Sequence, residues 1–163
     1  MTEWNVKQKI CIALALLIAV ILFISSSMTY QQQTSVPFLE KYLASQPLKL
    51  FLSQFSFSYA GETVSIAHLG YYKFVEFFIR KGAHFGTYFL MGGFLYAGLP
   101  FKKRWQKAFL SLGCCFLYAS FDEFHQMLTG GRTPLFTDVL LDSFGALVAI
   151  SCLVIFSRLV SRN

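Results

Sequence analysis

Apolar residues dominate four long blocks of the chain, and polar residues separate these blocks or gather near their ends. The first block, 10–28, carries no charged residue and is long enough for about 28 Å of helix at 1.5 Å per residue. It predicts a retained membrane span. A cleaved signal peptide is the alternative, but the following SSSMTYQQQ offers no clean small-residue cleavage site.

Three further spans are predicted at about 81–99, 105–128 and 135–158, each with ionisable residues near one end. The expected fold is an all-α membrane protein, a bundle of four transmembrane helices forming one membrane domain over 1–163. Composition agrees, because 55% of the residues are hydrophobic and only 13% are charged. Soluble domains carry about 25% charged residues, so a soluble globular enzyme is disfavoured and disorder is excluded.

The net charge of +6 indicates membrane orientation rather than nucleic-acid binding. Four spans place the basic residues of the short flanks on one side, and an excess of Lys and Arg marks the cytoplasmic side. Both termini are therefore predicted to be cytoplasmic. The four cysteines fall inside predicted spans, so no structural disulfide is expected. The basic flanking residues are Lys7, Lys9, Lys102, Lys103, Arg104, Lys107, Arg158 and Arg162.

The segment at about 29–80 is predicted to lie outside the cell membrane, and it is too long and aromatic for a plain linker. Residues 31–35 are typical of a short polar linker, and 37–55 of an amphipathic helix broken at Pro47. FSFSYAGETVSI predicts a small β-hairpin, and LGYYKFVEFFIRKG a helix continuing into the second span. The segment suits a cap over the bundle or a membrane-surface anchor, and the sequence leaves both open.

The ionisable residues of the last three spans are predicted to meet at one depth, near the extracytoplasmic ends of these helices. The pairs His84/Tyr88, Asp122/Gln126 and Asp138/Asp142 each share a helix face, since they are four residues apart. Charges at such depth are costly unless partnered, so a mixed-charge site facing inward is expected. The alternative is ion pairing that only fixes the helix register. The predicted ligand-binding residues are Arg80, Lys81, His84, Tyr88, Asp122, Glu123, Gln126, Arg132, Asp138 and Asp142.

These residue types suit more than one chemistry. A histidine beside carboxylates is equipped for acid–base catalysis, and the carboxylates could also hold a divalent cation, although no cofactor is predicted. The basic side chains would clamp a phosphate or carboxylate. No motif names a nucleophile, so turnover stays open. The catalytic candidates are His84, Asp122, Glu123, Asp138 and Asp142.

The stretches RKGAHFGTYFLMG and SFDEFHQMLTGGRTPLFTDVLLDSFGAL resemble the VanZ-like family of bacterial membrane proteins. The resemblance covers about 80–149, and the turn reads Gly-Gly-Arg where the family usually has Pro-Gly-Arg. It implies a place in the bacterial cell envelope and reduced susceptibility to the glycopeptide teicoplanin. The family pattern maps onto Arg80, Lys81, His84, Asp122, Glu123, Gln126, Gly131, Arg132, Asp138, Asp142 and Gly145.

We therefore expect a multi-pass protein of the bacterial cell membrane that contacts membrane lipids and no nucleic acid. Its site would bind an anionic or zwitterionic envelope ligand, namely a lipid headgroup, a lipid-linked wall precursor or a lipoglycopeptide, and would lower teicoplanin susceptibility. The alternative is a membrane-embedded enzyme acting on an outer-leaflet lipid or lipid-linked substrate by acid–base or metal-assisted chemistry. A proton-coupled carrier is disfavoured, because the spans offer mainly Phe, Leu, Gly and Cys below the cluster.

Overall fold

The computed structural model describes residues 4–130 and 134–160, and its architecture is mostly helical. Four long helices dominate, namely α1 (Val6–Ser26), α6 (Tyr71–Gly98), α7 (Arg104–Gly130) and α8 (Phe136–Val160). Between α1 and α6 the chain forms α2 (Tyr30–Gln33), α3 (Val36–Tyr42), α4 (Lys49–Leu52), β1 (Ser56–Tyr59), β2 (Glu62–Ser65) and α5 (Ile66–Leu69). The predicted helical fold with a small hairpin is confirmed.

Two of the long helices, α1 and α8, have the length and apolar composition of a membrane span. The other two, α6 with 28 residues and α7 with 27, are long enough but more polar. Helix α6 contacts α1, α7 and α8, so much of its surface faces protein and need not be apolar. Of the four predicted spans, length and composition therefore support those formed by α1 and α8.

Helices α6 and α8 approach closely because small residues lie at their contact. A Cβ atom built on Gly145 would lie 2.5 Å from the carbonyl oxygen of Phe85, and one built on Gly92 would lie 2.7 Å from Cβ of Ala146. Real Cβ atoms do not approach so closely, so side chains larger than glycine would push the helices apart. Small residues therefore set the distance between α6 and α8 at this contact.

The basic flanks of the long helices meet at one end of the bundle, here called the basic end. The Arg104 guanidinium donates a hydrogen bond to the carbonyl of Ser157, 3.2 Å away, which joins the start of α7 to the end of α8. The end of α6 lies beside the start of α1, since a Cβ on Gly98 would be 2.8 Å from Ile12. Arg162 lies outside the described residues.

Residues 30–69 form a small cap at the opposite end of the bundle, here called the cap end. Strands β1 and β2 pair antiparallel, with Ser56 opposite Ser65 and Tyr59 opposite Glu62. The two-residue turn Ala60-Gly61 has φ angles of 52° and 86°, as a type I′ hairpin requires. The hairpin predicted from FSFSYAGETVSI is therefore confirmed.

Two details of the cap differ from the sequence prediction. The expected polar linker 31–35 contains α2, whose first turn is capped by the Thr29 side chain. The helix expected over 37–55 is instead two short helices, α3 and α4. The first of them, α3, ends at Tyr42, before Pro47. Gln46 and Leu48 adopt positive φ angles of 48° and 58° in the connection, which no helix accommodates. The helix predicted to run into the second span is confirmed as α6.

The cap has its own hydrophobic cluster, built on the first two turns of α6. Tyr71 and Phe74 are buried there against Val64 and Ile66 of the cap. The Tyr71 hydroxyl also donates a hydrogen bond to the carbonyl of Pro47, 2.9 Å away. The cap therefore packs firmly on the helix that leads into the bundle.

Replacing Gly145 by alanine tests the α6–α8 contact. We expect Gly145→Ala to destabilise the fold by about 1–3 kcal/mol, the usual cost of overpacking. The midpoint of thermal unfolding in detergent, followed by near-UV circular dichroism, measures it. Gly113→Ala is the matched control, because nothing lies within 4 Å of a Cβ at that helical position. Equal midpoints for the two variants would contradict the close contact.

Candidate functional site

The polar residues predicted for the site come together at the cap end, from three different helices. Helix α6 contributes Arg80, Lys81, His84 and Tyr88, helix α7 contributes Asp122, Glu123 and Gln126, and helix α8 contributes Asp138 and Asp142. Gly131 and Arg132 lie outside the described residues. The remaining residues form an outer layer next to the cap and an inner layer deeper in the bundle.

The outer layer is organised by an ion pair between Lys81 and Asp138. The Lys81 ammonium lies 2.6 Å from both carboxylate oxygens. It also lies 4.8 Å from the ring centroid of Tyr59 and 5.6 Å from that of Phe77. The Tyr59 hydroxyl donates to the same carboxylate, and burial together with this neighbour raises the pKa of Tyr59. One carboxylate thus joins α6, α8 and the hairpin.

The inner layer consists of buried groups that are only partly satisfied. His84 Nδ1 lies 3.4 Å from Asp142 Oδ2, and the Gln126 amide donates to Asp122 Oδ2 over 3.0 Å. Asp142 is only 1% exposed. Among the residues that the structure describes, Asp142 Oδ1 and the Tyr88 hydroxyl have no hydrogen-bond partner. Buried polar atoms of this kind are costly, so the inner layer is the less stable part of the cluster.

Glu123 has a positioning role between α7 and α8. Its carboxylate accepts the backbone N–H of Leu135 over 2.9 Å. The carbonyl of Leu135 in turn accepts the backbone N–H of Asp138, also over 2.9 Å, at the first turn of α8. Glu123 therefore holds the start of α8, and with it the side chain of Asp138, in place.

Glu76 is a buried acid that was not among the predicted site residues. It is 2% exposed and accepts hydrogen bonds from Tyr30, over 2.9 Å, from Thr34, over 2.8 Å, and from Ser35. Burial raises the pKa of this carboxyl, but the hydrogen bonds from the cap outweigh burial and lower the pKa below its ordinary value. The available signal was a single acid within the apolar run FVEFF.

A cleft of about 420 Å³ opens between the hairpin, α6 and the cap ends of α7 and α8. Tyr59 and Phe77 line it, together with charged and titratable side chains from both the cap and the bundle. Asp122, Tyr88 and Asp142 are absent from the lining because they are buried behind it. The titratable side chains of the lining are Glu62, His68, Lys73, Glu76, Arg80, Lys81, His84, Glu123 and Asp138, with the tyrosines Tyr30 and Tyr59.

His125, which lies between these residues in sequence, faces elsewhere. Its Nδ1 atom is 2.8 Å from the hydroxyl oxygen of Ser26, and its ring stacks on Phe23 with centroids 4.5 Å apart. It thus joins α7 to α1. Over residues 4–130 and 134–160, no group of three or more His, Cys, Asp or Glu side chains is placed to hold a metal ion.

These features define a class of protein, a helical bundle in which charged side chains from three long helices meet beneath a small cap. The chain belongs to the VanZ/LLP1 family, whose family model matches residues 11–157. The match extends well beyond the region 80–149 that carries the sequence resemblance, and it confirms that resemblance. No curated protein and no solved structure matches the chain.

The hydrogen bonds to Glu76 predict how the cap responds to substitution and to pH. We expect Glu76→Gln to speed amide exchange in 30–36 by roughly tenfold or more, since hydrogen bonds to a charged group contribute about 1.5–3 kcal/mol. Hydrogen–deuterium exchange at neutral pH measures this. Glu62→Gln, at an exposed position of the hairpin, should leave the exchange unchanged.

The same carboxylate makes the docking of the cap acid-sensitive. Because the pKa of folded Glu76 lies below its ordinary value of 4.5, its stabilising contribution is complete above that value. The contribution is lost as the pH falls through the folded pKa. Protection of 30–36, corrected for intrinsic exchange, should therefore drop at acid pH in the parent protein but stay low throughout in Glu76→Gln.

Proposed function

We propose that this VanZ/LLP1 family member is a four-span protein of the bacterial cell membrane whose cleft binds an anionic or zwitterionic envelope ligand. Such a ligand is a lipid headgroup, a lipid-linked wall precursor or a lipoglycopeptide. The supporting observation is the charge balance of the cleft, in which three acids are bound by other parts of the protein and two of the cations have no carboxylate partner among the described residues.

The membrane placement is supported by the lipid-like character of the outer surfaces and by the basic end. Phe109 and Leu117 of α7 are 73% and 69% exposed, which suits a helix facing acyl chains. Basic residues from α1, from the α6–α7 connection and from α8 gather at one end. The positive-inside rule makes that end cytoplasmic, so both termini are cytoplasmic and the cap is extracytoplasmic.

The charge balance favours an anionic group in the ligand. Asp138 is neutralised by Lys81, and the Glu76 and Glu123 carboxylates accept hydrogen bonds from the protein itself. Within the described ranges, neither Lys73 nor Arg80 has a carboxylate within ion-pair distance. Two cations on the cleft-facing side of α6 are thus available to a phosphate or carboxylate.

The rest of the lining suits the remaining parts of a headgroup. The Arg80 guanidinium lies 5.1 Å from the ring centroid of Tyr30, which holds it at the wall of the cleft. His84 also lines the cleft, and its Nδ1 atom faces Asp142. Glu62, at the exposed rim, would complement the amine of a zwitterion.

Binding of a short-chain anionic phospholipid tests the proposal. We expect purified protein in uncharged detergent to bind dihexanoylphosphatidylglycerol, and Lys73→Ala and Arg80→Ala each to weaken binding by about 10–100-fold, the equivalent of about 1.5–3 kcal/mol. Isothermal titration calorimetry measures the affinity. Lys49→Ala, which removes an exposed cap cation outside the cleft, is the control.

Three results would contradict this function. They are affinity that is unchanged in both cleft variants, equal binding of dihexanoylglycerol, which lacks the phosphate, and chemical conversion of the probe. Chemical conversion of the probe would favour the alternative function, a membrane-embedded enzyme, over a binding protein.

Lowered glycopeptide susceptibility belongs to the same proposal. We expect expression of the chain to raise the teicoplanin concentration that inhibits a susceptible host. We expect Asp122→Asn to abolish this effect, because it replaces a buried carboxyl group behind the cleft by an amide of similar volume. The inhibitory concentration at equal membrane expression measures this. Glu40→Gln makes the same chemical change at an exposed position, and loss of resistance in both variants would contradict a specific role of the site.

A further inference from the structure

Helix α3 has one apolar arc, and the rest of the protein covers only part of it. Leu39 is 4% exposed on the side where α3 contacts α6. Phe38 and Tyr42 are 61% and 63% exposed, and their ring centroids are 4.4 Å apart. At 100° per residue Val36, Leu39, Tyr42 and Phe38 form one continuous arc, and Glu40, Pro37 and Lys41 occupy the opposite side. The helix is therefore amphipathic, with half of its apolar arc left uncovered.

Helix α6 provides a scale for the height of α3 above the bundle. Thr34 and Ser35, just before α3, hydrogen-bond to Glu76, five residues before Lys81. At 1.5 Å per residue this places the start of α3 about 7.5 Å beyond Lys81, where the proposed second span begins. The headgroup region on each side of a bilayer is roughly 5–7 Å thick. The uncovered face of α3 thus lies at headgroup height.

We propose that α3 is an interfacial anchor whose exposed face enters the extracytoplasmic leaflet of the membrane. Phe38 and Tyr42 lie at the level of the headgroups, as aromatic residues do at membrane interfaces. Lys41, whose ammonium is 5.5 Å from the centroid of the Tyr42 ring, reaches lipid phosphates. The inference rests on the proposed membrane topology and is independent of ligand binding in the cleft.

The sequence left two roles open for the segment at about 29–80, a cap over the bundle and a membrane-surface anchor. The proposal assigns these roles to different elements of the segment. The hairpin and α5 cover the first turns of α6 and act as the cap proper. Helix α3 uses one face for the same purpose and the other for lipid. The membrane, rather than a second copy of the chain, is favoured as the partner of the exposed face. The reason is that the cap, residues 30–69, connects at its two ends to α1 and α6, which are both proposed spans and hold it near the membrane surface.

Depth-dependent fluorescence quenching tests the anchor. The chain has two tryptophans, Trp4 and Trp105, so Trp4→Phe and Trp105→Phe provide a background without tryptophan fluorescence. Single tryptophans are then introduced by Phe38→Trp and, as the matched control on the polar side of the same helix, by Glu40→Trp. Both proteins are reconstituted into phosphatidylcholine–phosphatidylglycerol vesicles with lipids brominated near the headgroup end of the acyl chain.

We expect quenching of the Phe38→Trp protein to exceed that of the Glu40→Trp protein by about twofold or more, with emission shifted to shorter wavelength, as for interfacial aromatic residues. Equal quenching would overturn the anchor. A shift to shorter wavelength without quenching by bromine would also overturn it, because protein rather than lipid would then cover the face. Tyr42→Trp, on the same face, repeats the test if Phe38→Trp fails to fold. Loss of headgroup binding in the cleft variants would not alter this outcome.

Discussion

The ion pair between Lys81 and Asp138 is the interaction on which the cap end of the molecule depends. Charged groups in helices that are long and apolar enough to enter a membrane are costly unless they have a partner. Here the Asp138 carboxylate binds both the Lys81 ammonium of α6 and the Tyr59 hydroxyl of the hairpin. The register of α6 against α8 and the position of the hairpin follow from the same contact. Gly145, two turns after Asp138 on α8, allows the close approach to Phe85 that brings the pair within reach.

The charged side chains of the site fall into two groups. One group binds other parts of the protein, and the other has no oppositely charged partner among the described residues. Asp138, Glu123 and Glu76 each bind another part of the chain and so fix the shape of the cleft. The cations Lys73 and Arg80 line the same cleft without comparable carboxylate partners among the described residues. Cations without an internal carboxylate partner are what the proposed binding of an anionic group requires, because the ligand then competes with fewer acids of the protein.

Helical spacing was enough to predict that His84, Asp138 and Asp142 lie near one another in the bundle. His84, Asp142 and Asp138 lie at matching ends of helices joined by short connections, so their periodicity places them at one level.

The contacts from the cap could not be predicted in this way. The partner of Tyr59 is 79 residues away in the sequence, and those of Glu76 are 41 to 46 residues away, and no local pattern encodes such pairings. The end of α3 at Tyr42 was also missed, since the left-handed residues that follow it are ordinary residue types held by packing. Helix α6 is less hydrophobic than the apolar blocks of the sequence suggested, because it contacts several other helices and exposes less surface to lipid.

Helix α6 runs without a break from the cluster under the cap to the basic end, a length of about 42 Å. It carries Tyr71 and Glu76 at one end, Lys81 and His84 in the cleft, and Gly98 beside α1 at the other end. A continuous helix behaves as a stiff rod over this distance, so these parts move together or not at all. Mechanical force on the cap would therefore be transmitted along this one helix to the basic end of the bundle.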